Sequence, residues 1–153
     1  GRVLPFVGVM NDVFASRGAG LPLEAQGTTS ADDRLQKGNQ AQVDIFGEGM
    51  RGSWEKCPEE RAVVNRWLAA NCFGDYYTRG GLTLAERELV TFCYLAAQGG
   101  CEPQLTAHAG GNLSMGNDKS LLYAVVHQCL PYVGYPRSLN ALACVDAAAK
   151  AQG

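Results

Sequence analysis

Glu88, His108 and Cys101 are the side chains best suited, by type and position, to do chemistry in this chain. On a helical wheel at about 100° per residue, Leu84, Leu95, Phe92, Ala85, Ala96 and Leu89 span one broad apolar face, and Glu88 falls inside it, between Leu95 and Phe92. A carboxylate there must find a partner or raise its pKa, because desolvation disfavours the charged form. Two readings are open: a buried structural ion pair to Arg79 or Arg87, or an acid/base group of a site. His108 falls on the following helix. There Leu105, Ala109 and Leu113 form a narrow apolar stripe, and Gln104, His108, Gly111 and Asn112 occupy the adjacent face. Gly110-Gly111 in a helix interior costs about 1 kcal/mol per glycine relative to alanine, so another helix or a ligand is expected to approach closely. Taken alone, such a histidine is more often a packing group than a catalyst. Cys101 stands just outside the N-terminus of that helix, where the helix-end charge favours thiolate, while neighbouring Glu102 opposes it.

The remaining candidates are weaker. His127 shares the polar side of its helix with Ser120 and Tyr123, which is the pattern of a solvated residue. Six cysteines are about 4% of the chain, below the ~8–10% of a disulfide scaffold. None has CxxC spacing and only two histidines are present, so no structural zinc site, metal or other cofactor is expected. Fifteen disulfide pairings of six cysteines are formally open, and reduced, mostly buried thiols are the default expectation. Cys93, Cys129 and Cys144 read as small core hydrophobes.

Helices must position these groups. Residues 5–17 read as a short helix stopped by Gly18, and residues 18–30 as a Gly/Pro/Ser/Thr linker. Ser30 with Asp33 resembles a capping box opening a helix to Phe46, which Gly47 ends; Gly38 weakens that helix. Pro58 with Glu59 and Glu60 starts a helix through Cys72. Thr83 and Glu86 form a better capping box, and Gly99-Gly100 stop that helix after Gln98. Pro103 starts the next, ending near Met115-Gly116. Asn117 caps a helix over 118–133 with a kink or break at Pro131, and Pro136 starts the last. No alternating strand of useful length is found, so the class is all-α, with about six to seven helices.

Thirteen basic against fifteen acidic side chains give a net charge of −2, which argues against a nucleic-acid partner. The longest apolar stretch, residues 3–10, is far short of the ~20 residues of a membrane span. It lacks the basic leading region and cleavage site of a secretory signal, and the expectation of reduced thiols sets a cytoplasmic location as the default. Several helices have little polar surface, notably residues 121–130 and 141–151, so a homo-oligomer is expected.

Three segments resemble the carboxymuconolactone decarboxylase family of the alkylhydroperoxidase D-like superfamily. Residues 82–117, LTLAERELVTFCYLAAQGGCEPQLTAHAGGNLSMGN, resemble its core, with an Arg-Glu-Leu helix start, an apolar helix and a Leu-x-x-His helix. Residues 73–82, FGDYYTRGGL, are similar to its aromatic-Gly-acid segment, and residues 125–142, VVHQCLPYVGYPRSLNAL, to its Gln…Tyr-x-Gly-x-Pro…Asn-Ala segment. The resemblance spans about residues 33–148 and implies an alkylhydroperoxidase D-like helical domain, usually trimeric or hexameric. It divides the chain into an N-terminal helix and linker at 1–30 and the family-like domain at 31–153. The N-terminal part is similar to the connector between paired domains of longer relatives, which implies a fragment or a degenerate pair. In the peroxidase branch a glutamate, a CxxC pair and a histidine act together. Glu88 and His108 match the glutamate and histidine, with one extra residue between helix and cysteine, and Cys101 matches the first cysteine. Gln104 stands in place of the resolving cysteine.

The leading expectation is therefore a decarboxylase-like lyase, or lactone-processing enzyme, acting on a small carboxylated ring compound. Glu88 and His108 would be its acid/base pair, Arg79 its anion anchor, and Gln104, Gln128 and Tyr132 would line its pocket. Two alternatives stand beside it: a thiol peroxidase of peroxiredoxin-type activity with Cys101 as the single peroxidatic thiol, and a non-catalytic oligomeric binding protein.

Overall fold

The punctuation along the chain becomes six helices in the computed structural model, which describes residues 3–153. They are α1 (Val3–Ser16), α2 (Arg34–Phe46), α3 (Glu59–Trp67), α4 (Leu84–Gln98), α5 (Glu102–Ser114) and α6 (Lys119–Gln152). A 3₁₀ turn covers Glu48–Met50, and a π-helical stretch, Leu68–Tyr77, continues α3. No strand occurs among the described residues, so the class is all-α as expected.

Most boundaries follow local chemistry. At α4 the Thr83 hydroxyl accepts from the Glu86 amide at 3.3 Å while the Glu86 carboxylate accepts from the Thr83 amide at 2.7 Å, closing a reciprocal capping box. Ser30 and Asp33 do pair, at 2.7 Å from amide to carboxylate, but regular helix begins only at Arg34.

Three boundaries differ from expectation. Helix α3 does not stop at Cys72 but continues as the π-helical stretch to Tyr77, where Ala69, Phe73 and Tyr77 are buried and packing holds the extra turns. Asp118, not Asn117, caps α6, accepting from the Leu121 amide at 2.7 Å. The break in α6 lies at Gly134 rather than Pro131. Gly134 has φ +78°, open to a residue without a β-carbon, and Pro136 then sits in the first turn of the second half, where its missing N–H costs little. The two halves of α6 fold back on each other: the Tyr123 hydroxyl donates to Asp146 at 2.6 Å, and Lys119 pairs with the same carboxylate.

Two apolar clusters result. Phe92 and Ala96 of α4, Leu105 and Ala109 of α5, and Leu122, Val126, Ala141, Cys144, Val145 and Ala148 of α6 form the larger one. Ala41 and Ile45 of α2 with Phe73 and Tyr77 form the smaller, flanked by Phe46, Cys72 and Leu84. Gly38, which weakens α2 by propensity, explains itself here. A β-carbon on it would collide with the Ala69 carbonyl and the Gly74 backbone, so Gly38 and Gly74 let α2 lie directly on the π-helical stretch. Helix α1 is the exception to this packing. It is apolar, yet none of its residues is buried.

Candidate active site

The seam between the two clusters holds Glu88, the one carboxylate buried completely among the described residues. Glu88 enters from α4 with no exposed surface, and its Oε2 lies 2.8 Å from Nδ1 of His108 on α5. With Glu88 ionised, Nδ1 carries the proton and donates, which leaves Nε2 as the free ring nitrogen. The His108 side chain keeps 17% of its surface exposed, so the pair has one dry end and one wet end. Phe46 stacks edge-on against the imidazole, with centroids 5.3 Å apart. The other carboxylate oxygen, Oε1, is buried without any hydrogen-bond partner. A buried carboxyl group lacking a partner on one oxygen costs stability.

Neither arginine offered by the sequence is the partner of Glu88. Arg87 instead donates through Nη2 to the carbonyls of Arg79 and Gly80, at 2.6 and 2.9 Å. Interhelical approach makes the pairing with His108 possible: Gly111 has no β-carbon to fill the space that the Glu88 carboxylate, Ile45 and Phe46 occupy.

Sequence reasoning assigned no site role to four residues that the fold brings here. Asn112 donates to the Glu88 carbonyl at 3.0 Å and to the His108 carbonyl at 2.8 Å, and Asn117 donates to the Asn112 side chain and the Ala85 carbonyl. Together they fix α5 against α4. Burial first, and then the Glu88 charge, push the Tyr77 hydroxyl and the Cys72 thiol above their usual pKa ranges, so both stay protonated beside it. The available signal was helical spacing: Asn112 lies one turn after His108.

A family model described as the carboxymuconolactone decarboxylase family matches residues 62–147, more than half of the chain. The chain belongs to the carboxymuconolactone decarboxylase family. Its helical architecture is the alkylhydroperoxidase D-like fold, and the match takes in all of α4 and α5, hence the Glu88–His108 pair. Membership supports a decarboxylase-like or an alkylhydroperoxidase-like activity. Comparison with curated proteins found no match.

The other expected site residues of this family member are scattered. The Cys101 thiol donates to the Leu95 carbonyl at 3.4 Å, at the opposite end of α4 from its cap. Seven residues of helix, about 10 Å, separate its backbone from that of His108. Gln104 is exposed one turn before His108, on the same side of α5. Gln128 and Tyr132 are exposed on the first half of α6, Tyr132 at 89%. Arg79 lines two grooves of about 380 and 400 Å³, both bordered by Tyr77 and Leu82. The second groove adds Tyr76, Arg87, Val90, Thr91 and Tyr94. Burial and then the charge of Arg79 hold the Arg87 guanidinium below its usual range. Neither arginine takes part in an ion pair among the described residues. Among those residues no three His, Cys, Asp or Glu side chains cluster as a metal site requires, and no helix is long and apolar enough to cross a membrane.

Proposed function

We propose that this chain is a decarboxylase-like lyase acting on a small carboxylated ring compound, with Glu88 and His108 as its acid/base pair. The observation that carries this reading is the 2.8 Å contact between a wholly buried carboxylate and a partly exposed imidazole, with no thiol bonded to either. Loss of carbon dioxide from a carboxylated lactone breaks a carbon–carbon bond and leaves an electron pair, which the conjugated lactone carbonyl accepts. A proton must then be delivered to carbon. His108, steered by Glu88, supplies it from Nε2 after that nitrogen has taken a proton from solvent at the exposed end of the ring. The dry surroundings of Phe46, Ile45 and Tyr77 favour loss of charge as carbon dioxide departs.

Arg79 is the anion anchor in this reading, and Arg87 shares its groove. Two neighbouring guanidinium groups without a carboxylate partner favour a bound anion, and the flanking tyrosines suit a flat ring. Gln104 stays in the reading as a polar group beside His108. Gln128 and Tyr132 have no role within a single copy. The test is carbon dioxide release from carboxymuconolactone and a panel of related carboxylated lactones. Turnover by the parent chain, and its loss in Glu88→Gln and His108→Gln, are expected. No turnover on any carboxylated lactone would overturn the reading.

We also propose a homo-oligomer, a trimer or hexamer. The apolar α1 exposes Leu4 at 78% and Phe6 at 67%, and Trp67 of α3 is 65% exposed. Such a surface is more than a lone soluble domain normally shows. A single monomer mass in light scattering at micromolar concentration would defeat it.

A further inference from the structure

Helix α1 repeats the pattern of the second half of α6. Both open on an Arg-x-Leu step, Arg2-Val3-Leu4 and Arg137-Ser138-Leu139, and both run to a glycine, Gly18 and Gly153, at the same spacing. Aligned from that step without a gap, Val3, Phe6, Val9, Met10 and Val13 fall on Ser138, Ala141, Cys144, Val145 and Ala148. Those are all the buried positions in that half of α6. Val7 and Phe14 fall on the half-buried Leu142 and Ala149. On the outer face Asn11 and Asp12 fall on the exposed Asp146 and Ala147. Leu4 falls on Leu139, which is itself 61% exposed.

α1 thus has the inward face of a packed helix, yet Val3 stands 72% open and Phe6 67%. A helix of 14 residues is marginal in water by itself, so this face calls for a cover. The chain that follows does dock on the domain. The Gly80 amide donates to the Gln26 carbonyl at 2.9 Å, and the Thr28 hydroxyl donates to the Thr78 carbonyl at 2.7 Å. The tether is pinned while no residue of α1 is buried.

We infer that α1 is the closing helix of a second unit of this same fold, joined to this one through residues 17–33, and that its apolar face covers that unit's core. The second half of α6 plays that part here, sharing one cluster with Phe92 of α4, Leu105 of α5 and Leu122 of the first half of α6. α1 would lie in the same way on the counterparts of those helices. The receiving unit is not a copy of this chain. Where α6 places the methyl groups of Ala141 and Ala148, α1 carries a benzyl group at Phe6 and an isopropyl group at Val13, which would overpack the same hollow. The partner is a related three-helix face with deeper hollows at those two positions. α1 then belongs to the neighbouring unit, and the connector is residues 17–33 alone. The Trp67 face is left for contacts between copies, and the inference needs neither the proposed reaction nor the homo-oligomer.

Hydrogen exchange on the present chain gives the first test. The α1 amides should exchange as in unstructured peptide at low and high micromolar concentration alike, while those of the second half of α6 exchange ~100-fold slower or more. Protection of α1 that grows with concentration would mean that a second copy covers it, and would overturn the inference. The coding sequence in frame before Gly1 gives the second. It should encode counterparts of α4, α5 and the first half of α6; a start codon or unrelated residues in that span would overturn the inference. In the longer chain α1 exchange should slow to that of the second half of α6, and Phe6→Asp should restore fast exchange in α1 while residues 34–152 stay protected. Should that variant fail to fold, the unsubstituted longer chain decides: α1 exchange as fast as in the present chain defeats the inference.

Discussion

Gly111 lies so close to the Glu88 carboxylate that a β-carbon added to it would stand 2.6 Å from Oε2. The same atom would meet Ile45 at 2.8 Å and Phe46 at 3.0 Å, so three groups would have to give way at once. The absence of one methyl group on α5 is thus what lets a buried anion on α4 reach His108. Gly111→Ala is expected to destabilise the fold by about 1–3 kcal/mol, as overpacking does, and to lengthen the Glu88–His108 contact. Its neighbour supplies the control. A β-carbon on Gly110 meets only the Gln152 amide at 3.7 Å, so Gly110→Ala should be neutral or stabilise by up to about 1 kcal/mol. Urea denaturation of the two variants checks the contrast, and equal midpoints would contradict it.

Glu88→Gln keeps the shape of the side chain and removes its charge. Stability should change by about 1–3 kcal/mol, the scale of a charge-assisted hydrogen bond. Activity should fall by a factor of about 10²–10⁴, the usual contribution of an acid/base group. A second readout is independent of substrate. The Glu88 charge helps hold the Cys72 thiol up, so its removal should lower that pKa and speed alkylation of Cys72 at mildly alkaline pH. Peptide-resolved alkylation rates measure this, and an unchanged Cys72 rate would show that the charge does not reach it.

Cys101→Ser is expected to leave the acid/base reaction intact, because the thiol bonds to the Leu95 carbonyl and not to the Glu88–His108 pair. Stopped-flow mixing with hydrogen peroxide or cumene hydroperoxide examines the alternative chemistry. Fast, selective sulfenic acid formation at Cys101, with turnover on an added thiol, would promote the peroxidase over the decarboxylase-like lyase.

Stability should fall on the alkaline side under reducing conditions. The Cys93 thiol is raised from 9.0 to about 11 by burial and by Cys129. Below about pH 9 both folded and unfolded chains keep this proton and the contribution is complete. Between about pH 9 and 11 the unfolded chain releases the proton while the folded chain holds it, so the folded state loses ground as pH rises. The raised Cys72 and Tyr77 act in the same direction. Urea midpoints measured across this range should decline, and Cys93→Ser should flatten the decline. A midpoint that climbs with pH would reverse the assignment.

Much of this was legible before any coordinates. Glu88 reads as buried because the 3.6-residue period fixes which face of α4 it occupies, whatever that face packs against. The capping box at Thr83 and the stop at Gly99 are equally local, since their partners lie within a turn. Of the Gly110-Gly111 pair, Gly111 answers the expected close approach, while Gly110 has only the Gln152 amide near it, at 3.7 Å.

Periodicity alone could not choose a partner for Glu88; only the family resemblance set it beside His108. Arg79 and Arg87 are nearer along the chain, but His108 is the group that interhelical packing delivers. Pairing across helices depends on how closely the backbones approach, and Gly111, Gly38 and Gly74 set that distance only once the helices are assembled. The position of the α6 turn at Gly134 and the groove shared by Arg79 and Arg87 were hidden for the same reason. Periodicity determines which way a side chain faces from its own helix axis; what it meets there is decided by the relative placement of helices, and that is a property of the packed whole.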